Sequence, residues 1–137
     1  MASLTSTRAA RRLDAGVLAG RTLSGLVLAF LALDGAIKLV PLQPVTDTLA
    51  AIGWPNDAAT ARGLGVLLLG LAVLHAIPRT AIVGAVLLTG YLGGAVATHA
   101  RIGSPLGTHT LFGVYVGALM WTGLFLRDAR LRALIRD

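Results

Sequence analysis

Residues 90–109 read GYLGGAVATHARIGSPLGTH, an apolar helical segment that runs directly into a cluster of ionisable and turn-forming residues. His99 and Arg101 end the apolar segment, and His109 stands at the start of the next one. Ionisable groups within or beside membrane spans are costly, so they generally face the interior of a helix bundle or a hydrated cavity. This stretch therefore predicts membrane helices whose polar residues gather at a shared site.

The composition is typical of a membrane protein. Of the 137 residues, 55% are hydrophobic and 13% are charged, whereas a soluble domain carries about 25% charged residues. The mean hydropathy is +0.79. The net charge of +6 comes from basic residues beside the apolar segments, which is the pattern of juxtamembrane charges and not of a nucleic-acid-binding surface. Membrane lipid is the expected surrounding, and nucleic acid is not an expected partner.

Two residue types are missing from the sequence. Cysteine is absent, which excludes disulfides, a thiolate nucleophile and cysteine-bound metals. Glutamate is absent too, so the side-chain carboxylates are those of six aspartates, and only Asp34 lies within an apolar segment. Any redox role would therefore depend on a bound cofactor or a partner protein.

Four apolar segments are each close to the roughly 20 residues that a helix needs to cross a bilayer. They cover about residues 19–40, 58–77, 80–98 and 108–126. Their connections are short apart from the stretch 41–57, so the expected fold is all-α, an up-and-down antiparallel bundle of four transmembrane helices. A basic segment over residues 1–18 and a basic tail over residues 128–137 would flank this membrane domain.

Arginine positions predict the orientation. Arginines precede or open the first span, occupy the turn between the second and third, and follow the fourth: Arg8, Arg11, Arg12, Arg21, Arg79, Arg127, Arg130, Arg132 and Arg136. These three regions lie on one side if every segment crosses. Since basic residues favour the cytoplasmic side, we expect both termini in the cytoplasm and a multi-pass protein of the cell membrane.

Glycines four residues apart occur in three of these helices: Gly16 and Gly20, Gly90 and Gly94, and Gly113 and Gly117. Small residues at this spacing let helix backbones approach closely in lipid. We expect the latter two pairs to hold the third and fourth spans together. The competing interpretation is that they form the contact of a homo-oligomer.

Asp34 and Lys38 lie four residues apart on the first span, so both point to one face of the helix. Pairing would reduce the cost of holding two charges at that depth. In one interpretation the pair is structural and holds the first helix to its neighbours. In the other, Asp34 accepts a proton or anchors a ligand within a pocket.

His99 and His109 flank the turn between the third and fourth spans. Histidine exchanges protons near neutral pH, so either side chain could serve in catalysis. The alternative is that both are interfacial residues bonded to loop carbonyls. Two histidines with no clear third ligand except Asp34 do not predict a metal site.

In an up-and-down bundle, the end of span one, the start of span two, the end of span three and the start of span four meet on one side. The candidate catalytic residues there are Asp34, His99 and His109, and the candidate ligand-binding residues are Lys38, Arg62, Tyr91 and Arg101. Arg62 and Arg101 could instead anchor the helices at the interface, and Tyr91 could simply pack between helices. The expected site is a partly buried polar pocket that opens outward.

The same residues carry a resemblance to the DoxX-like family of small four-helix membrane proteins. The matching pieces are Asp34–Lys38 (DGAIK), Ile77–Thr80 (IPRT), Gly90–His99, Arg101, Gly103, Pro105, Leu106, His109 and Leu126–Arg132. The resemblance covers roughly residues 22–134 and implies four transmembrane helices with both termini inside. The family name derives from a subunit linked to quinone-coupled oxidation, so a quinone is the cofactor or ligand that the resemblance suggests. No catalytic motif transfers residue by residue.

Three functions remain in competition. The first is binding of a small lipophilic, partly polar molecule such as a quinone, in association with a redox protein partner. The second is a membrane enzyme that isomerises, opens or hydrates a lipophilic substrate, with Asp34 as base and His99 or His109 as acid. The third is a non-catalytic assembly subunit whose polar cluster only locks the helices. The sequence does not decide whether the chain is an enzyme.

Overall fold

The chain is almost entirely helical in the computed structural model, which describes residues 2–40 and 42–135. The helices are α1 (Ala2–Leu39), α2 (Gln43–Ala51), α3 (Ala58–Ala76), α4 (Ala81–Arg101), α5 (Phe112–Arg127) and α6 (Ala129–Leu134), and a π-helical turn (Leu106–Thr110) precedes α5. The described residues contain no strand. The predicted all-α fold is therefore confirmed.

Four helical stretches are long and apolar enough to cross a membrane: Ala15–Leu39, Ala58–Ala76, Ala81–Arg101 and Leu106–Arg127. The prediction of four spans is confirmed. The largest difference from the expected bounds is four residues, at the start of the first span, which begins at residue 15 instead of 19. Helix α1 itself starts much earlier, because its backbone is helical from Ala2.

The four spans form a closed ring of neighbours. Helices α1 and α4 lie diagonally, and each of them packs against both α3 and α5. A Cβ atom built on Gly20 would lie 2.7 Å from Leu126 Cβ, so the start of the first span lies beside the end of the last one. We call this the terminal end of the bundle; the opposite end, which carries α2 and the π-helical turn, is the cavity end.

An apolar layer fills the middle of the bundle. Each of the four spans contributes a side chain with at most 1% exposure: Leu31, Leu68, Leu88 and Met120. Branched and flexible side chains from four directions can fill this space without voids, as close-packed interiors require. The layer separates the terminal end from the cavity end.

Helix α1 meets α3 at a pair of glycines. A Cβ atom on Gly65 would lie 2.7 Å from the backbone oxygen of Gly35, and a Cβ on Gly35 would lie 2.8 Å from Leu69 Cγ. Side chains at either position would push the two helices apart. The absence of Cβ atoms is what allows this contact, as expected for helices that pack in lipid.

The predicted pairing of the glycines of α4 with those of α5 is wrong. Gly113 does approach α4, since a Cβ on it would lie 2.9 Å from the backbone oxygen of Leu92 and from Val96 Cγ2. A Cβ on Gly90 or Gly94, however, would meet no described atom within 4 Å. The tight contact thus uses one glycine of α5 against larger residues of α4.

Basic residues at the terminal end bind backbone carbonyls at the end of α3 and in the turn that follows it. Arg127 donates from Nη2 to the oxygen of His75 over 3.1 Å, and Arg130 donates to the oxygen of Pro78. His75 itself is fully buried, with its Nδ1 3.1 Å from the oxygen of Ala81. These contacts close the bundle at this end.

Asp128 begins the short helix α6. Its Oδ1 accepts hydrogen bonds from the backbone nitrogens of Arg130 (2.9 Å) and Leu131 (3.4 Å), the geometry of an N-cap. The Arg130 side chain pairs with this carboxylate and lowers the pKa of Asp128 below its ordinary value. Leu131 is buried, so α6 docks onto the end of the bundle.

Replacement of Gly65 tests the close contact of α1 and α3. We expect Gly65→Ala to lower the free energy of unfolding by about 1–3 kcal/mol, since the new methyl group has no space beside the backbone of Gly35. Gly63→Ala, one half-turn earlier, would meet no described atom within 4 Å and should raise stability by about 0.5–1 kcal/mol through the lower entropy of the unfolded chain. Unfolding in detergent micelles measures both. Equal effects of the two substitutions would contradict the close contact.

Candidate ligand-binding cavity

A cavity of about 630 Å³ lies inside the cavity end of the bundle. All four spans and α2 contribute to its wall, which is mostly apolar and carries four aromatic rings: Phe30, Trp54, Tyr91 and Phe112. Sites for small molecules are typically about 300–1,000 Å³ and largely apolar, with a few polar groups. The cavity therefore has the size and lining of a small-molecule site.

The cavity exists because the helices are paired differently at the two ends. At the terminal end, α1 meets α5 where Gly20 lies against Gly123, and α3 meets α4 where Gly84 lies against the backbone of His75. At the cavity end the tight pairs are α1 with α3 and α4 with α5, through Gly35, Gly65 and Gly113 as described above. The two pairs diverge from each other toward this end, which leaves a wedge of space between them.

Helix α2 covers this wedge. The residues of α2 and its C-cap that face the cavity are spaced as one side of a helix: Pro44, Val45, Thr48, Leu49 and Ile52. On the other side Gln43 Nε2 donates to Asp47 Oδ1 over 3.2 Å. Residues 41–57 are predicted from the sequence to be a connection, so α2 is a difference from that prediction. The apolar spacing of Val45, Leu49 and Ile52 is the signal that could have predicted it.

Asp34 and Lys38 form an ion pair on the cavity wall. Lys38 Nζ lies 2.5 Å from Asp34 Oδ1, and it lies 3.4 Å from the backbone oxygen of Asp34. The side chains are 40% exposed for Asp34 and 22% exposed for Lys38. The carboxylate is therefore neutralised by its neighbour and still accessible to a molecule in the cavity.

His99 and His109 line the cavity at the end of α4 and within the π-helical turn. Their ring centroids are 5.9 Å apart, because the π-helical turn brings His109 back beside the end of α4. His99 Nδ1 is 3.0 Å from Ser104 Oγ, and His109 Nδ1 is 2.8 Å from Thr108 Oγ1. The Nδ1 atom of each ring thus has a hydroxyl partner, which holds the ring and leaves Nε2 available for a ligand.

The two predicted ligand-binding arginines are not part of the cavity wall. Arg62 donates from Nε to the backbone oxygen of Leu39 over 3.3 Å, and Arg101 donates from Nη2 to the backbone oxygen of Ile52 over 2.9 Å. Both arginines are exposed. They connect helix ends at the rim, and Arg101 in particular ties the end of α4 to the end of α2.

Five of the seven predicted site residues line the cavity: Asp34, Lys38, Tyr91, His99 and His109. Tyr91 is half-buried in the wall formed by α4. Within the part of the chain that the structure describes, no three His, Asp or Glu side chains lie close enough together to hold a metal ion. The arrangement offers hydrogen-bond donors and acceptors from several helices around a mostly apolar space.

Comparison with known proteins shows the family to which the chain belongs. The sequence model of the DoxX-like family matches residues 22–123. The chain belongs to the DoxX-like family. The resemblance is therefore confirmed, and with four apolar spans the protein is a multi-pass membrane protein. The chain matches no curated protein and no solved structure. All residues of the cavity wall lie within the matched region, whereas α6 follows it.

Substitution of Arg101 tests whether this residue holds α2 over the cavity. We expect Arg101→Gln to remove the hydrogen bond to Ile52 and to weaken the attachment of α2 by roughly 1 kcal/mol. Amide hydrogen exchange in residues 43–53 should become several-fold faster, while exchange in α3 and α5 stays unchanged. Arg62→Gln is the control, because its bond goes to Leu39 and not to α2. Unchanged exchange in α2 would mean that its apolar face alone holds it.

Proposed function

We propose that this DoxX-like protein binds a small lipophilic, partly polar molecule in the cavity, with a quinone as the candidate ligand. The observation that carries the proposal is the cavity of about 630 Å³ with polar groups contributed by α1, by α4 and by the π-helical turn. Apolar walls suit the ring and hydrocarbon parts of such a molecule, because they offer van der Waals contacts and leave no polar group of the wall without a partner. The polar groups would fix its orientation.

The polar residues suit carbonyl and hydroxyl oxygens. Lys38 can donate a hydrogen bond, Asp34 can accept one, and the Nε2 atoms of His99 and His109 can do either, depending on protonation. A ring with an oxygen at each side could thus bind between the first helix and the histidine pair. If a redox protein partner supplies or removes electrons, the same residues are placed to exchange the accompanying protons.

The proposed orientation puts the cavity end outside and both termini in the cytoplasm. Arginines of the described chain cluster at the terminal end, at Arg21, Arg79, Arg127, Arg130 and Arg132, whereas the cavity end carries Arg62 and Arg101. This asymmetry favours the terminal end as the cytoplasmic side. In the cell membrane, the ligand would then reach the site from the outer half of the bilayer or from outside the cell.

A cavity-filling substitution tests ligand binding. Gly94 lines the cavity and its neighbour Gly93 does not, while a Cβ on either would meet no described atom within 4 Å. We expect Gly94→Leu to weaken binding of a decyl-substituted benzoquinone about tenfold or more, because the leucine side chain would occupy the space of the ligand. Gly93→Leu should leave binding within a factor of two. Quenching of Trp54 fluorescence in a Trp121→Phe background measures both, since Trp54 lines the cavity.

Asp34→Asn separates a ligand-binding role from a structural one in the same assay. We expect weaker quinone binding with normal abundance of folded protein in membranes. A parallel loss of binding and of folded protein would mean that the ion pair with Lys38 only stabilises the bundle. Absence of saturable quenching in the unsubstituted protein would contradict the proposed function itself.

Single cysteines test the proposed orientation, because the natural chain contains none. We expect Thr98→Cys, in the cavity wall, to react with a membrane-impermeant thiol reagent added to intact cells. Ala133→Cys, exposed on α6 at the terminal end, should react only after the membrane is permeabilised. The reverse pattern would place the cavity on the cytoplasmic side.

An enzymatic role is the second candidate. Asp34, His99 and His109 line one cavity, which is the arrangement that acid–base chemistry on a lipophilic substrate needs. Turnover of such a substrate by purified protein without an electron donor would favour this function over a redox-associated one. A non-catalytic assembly role predicts instead co-purification with a partner protein and no saturable ligand binding.

A further inference from the structure

The seam between α3 and α4 is open beside the cavity. Gly90 and Gly94 on α4 line the cavity and are also exposed, and a Cβ on either would meet no described atom within 4 Å. Across the seam, Leu67 on α3 lines the cavity and is 51% exposed. Because neither glycine carries a side chain and a Cβ on either would meet no described atom, no side chain of α4 closes the seam at these two positions.

This opening is closed at both ends of the seam. Toward the terminal end, Gly84 brings α4 against the backbone of His75, so α3 and α4 are in close contact there. Toward the cavity end, the bond from Arg101 to Ile52 joins the end of α4 to the segment that leads into α3. The opening is thus a lateral gap beside Leu67, Gly90 and Gly94 that is closed toward both the terminal end and the cavity end. We call this gap the window.

The window faces the hydrocarbon core of the membrane. Leu67 is nine residues from each end of α3 (Ala58–Ala76), and Gly90 is nine residues from the start of α4 at Ala81. Nine residues of helix are about 14 Å long, and the hydrocarbon core is about 30 Å thick. The window therefore lies near the middle of the bilayer, where lipid chains and not water are its neighbours.

The other seam of the wedge, between α1 and α5, is covered at this level. The rings of Phe30 and Phe112 meet edge to face with centroids 5.5 Å apart, and both rings line the cavity. Edge-to-face aromatic contacts are favourable by about 0.5–1.5 kcal/mol beyond the burial of their surface. Lateral access to the cavity is therefore expected between α3 and α4.

We propose that the ligand carries a long apolar tail, and that the tail passes from the cavity through the window between Leu67, Gly90 and Gly94 into the membrane. This inference rests on the proposed function and specifies its ligand class. The oxygen-bearing head would bind near Asp34, Lys38 and the two histidines, while the tail lies among lipid chains. A tail of any length then fits, because only the head and the first part of the tail need space within the 630 Å³ of the cavity.

Two quinone probes distinguish this ligand class from a tail-free one. The full chain in lipid nanodiscs is titrated with a methyl-substituted benzoquinone and with the same ring bearing a polyisoprenoid tail too long to be enclosed. We expect both to bind. Gly90→Leu should weaken binding of the tailed probe roughly tenfold by narrowing the window, and should weaken binding of the tail-free probe by a clearly smaller factor. Comparing variant and natural protein with the same probe cancels its partitioning into lipid.

Gly93→Leu is the matched control, since this residue is exposed on α4 outside the cavity wall and should affect neither probe. If Gly90→Leu fails to fold, a tailed probe with a photoreactive diazirine in the tail tests the natural protein instead. We expect its cross-links on α3 and α4 around Leu67 and Gly90. Cross-links on α1 and α5 around Phe30 and Phe112 would overturn the proposed path.

The remaining outcomes separate this inference from the function on which it rests. Binding of the tail-free probe together with exclusion of the tailed one would overturn the window and leave the proposed function intact. Equal weakening of both probes by Gly90→Leu would mean that Gly90 contacts the head, and would also overturn it. If neither probe binds the natural protein, the proposed function and the inference fall together.

Discussion

Close backbone contact at a few glycines is the constraint on which the cavity depends. Where Gly35 meets Gly65, two helices approach to a distance that no side chain would permit, and similar contacts at Gly20 and Gly84 hold the other end of the bundle. In lipid there is little hydrophobic gain from bringing helices together, so van der Waals packing of this kind decides which helices pair and where. Because the tight pairs differ between the two ends, the helices must diverge, and the space between them follows from that divergence.

The same geometry concentrates the polar residues. A charged side chain on a lipid-facing surface would be costly, and the wedge offers a space where Asp34 and Lys38 can pair and still face a shared interior. The π-helical turn has a comparable role on the other wall, since it places His109 beside His99. Below this site the apolar layer at Leu31 and Met120 separates the polar space from the terminal end. The cavity therefore lies toward one end of the bundle.

Much of the site was predictable because charges within apolar segments are rare and their spacing is readable. Asp34 and Lys38 stand four residues apart, and the up-and-down order of the spans brings them to the same end as His99 and His109. The roles of Arg62 and Arg101 were not predictable in this way. A basic residue at a helix end can face a ligand or a backbone carbonyl, and the choice depends on which loop lies within reach. Helix α2 was missed for a related reason: nine residues with a single apolar face are a weak signal beside four strongly apolar spans.

By itself the sequence determined the four membrane spans, the family and the end of the bundle at which the polar residues gather, because each depends on composition and order along the chain. Tertiary structure alone decided which glycines are in close contact and where a cavity remains. Gly90 and Gly113 look equivalent as sequence, yet Gly113 packs against Leu92 while Gly90 faces open space. The difference arises from the rotation and tilt of each helix against its neighbours, which result from the packing of all four spans together and are not encoded in any single one.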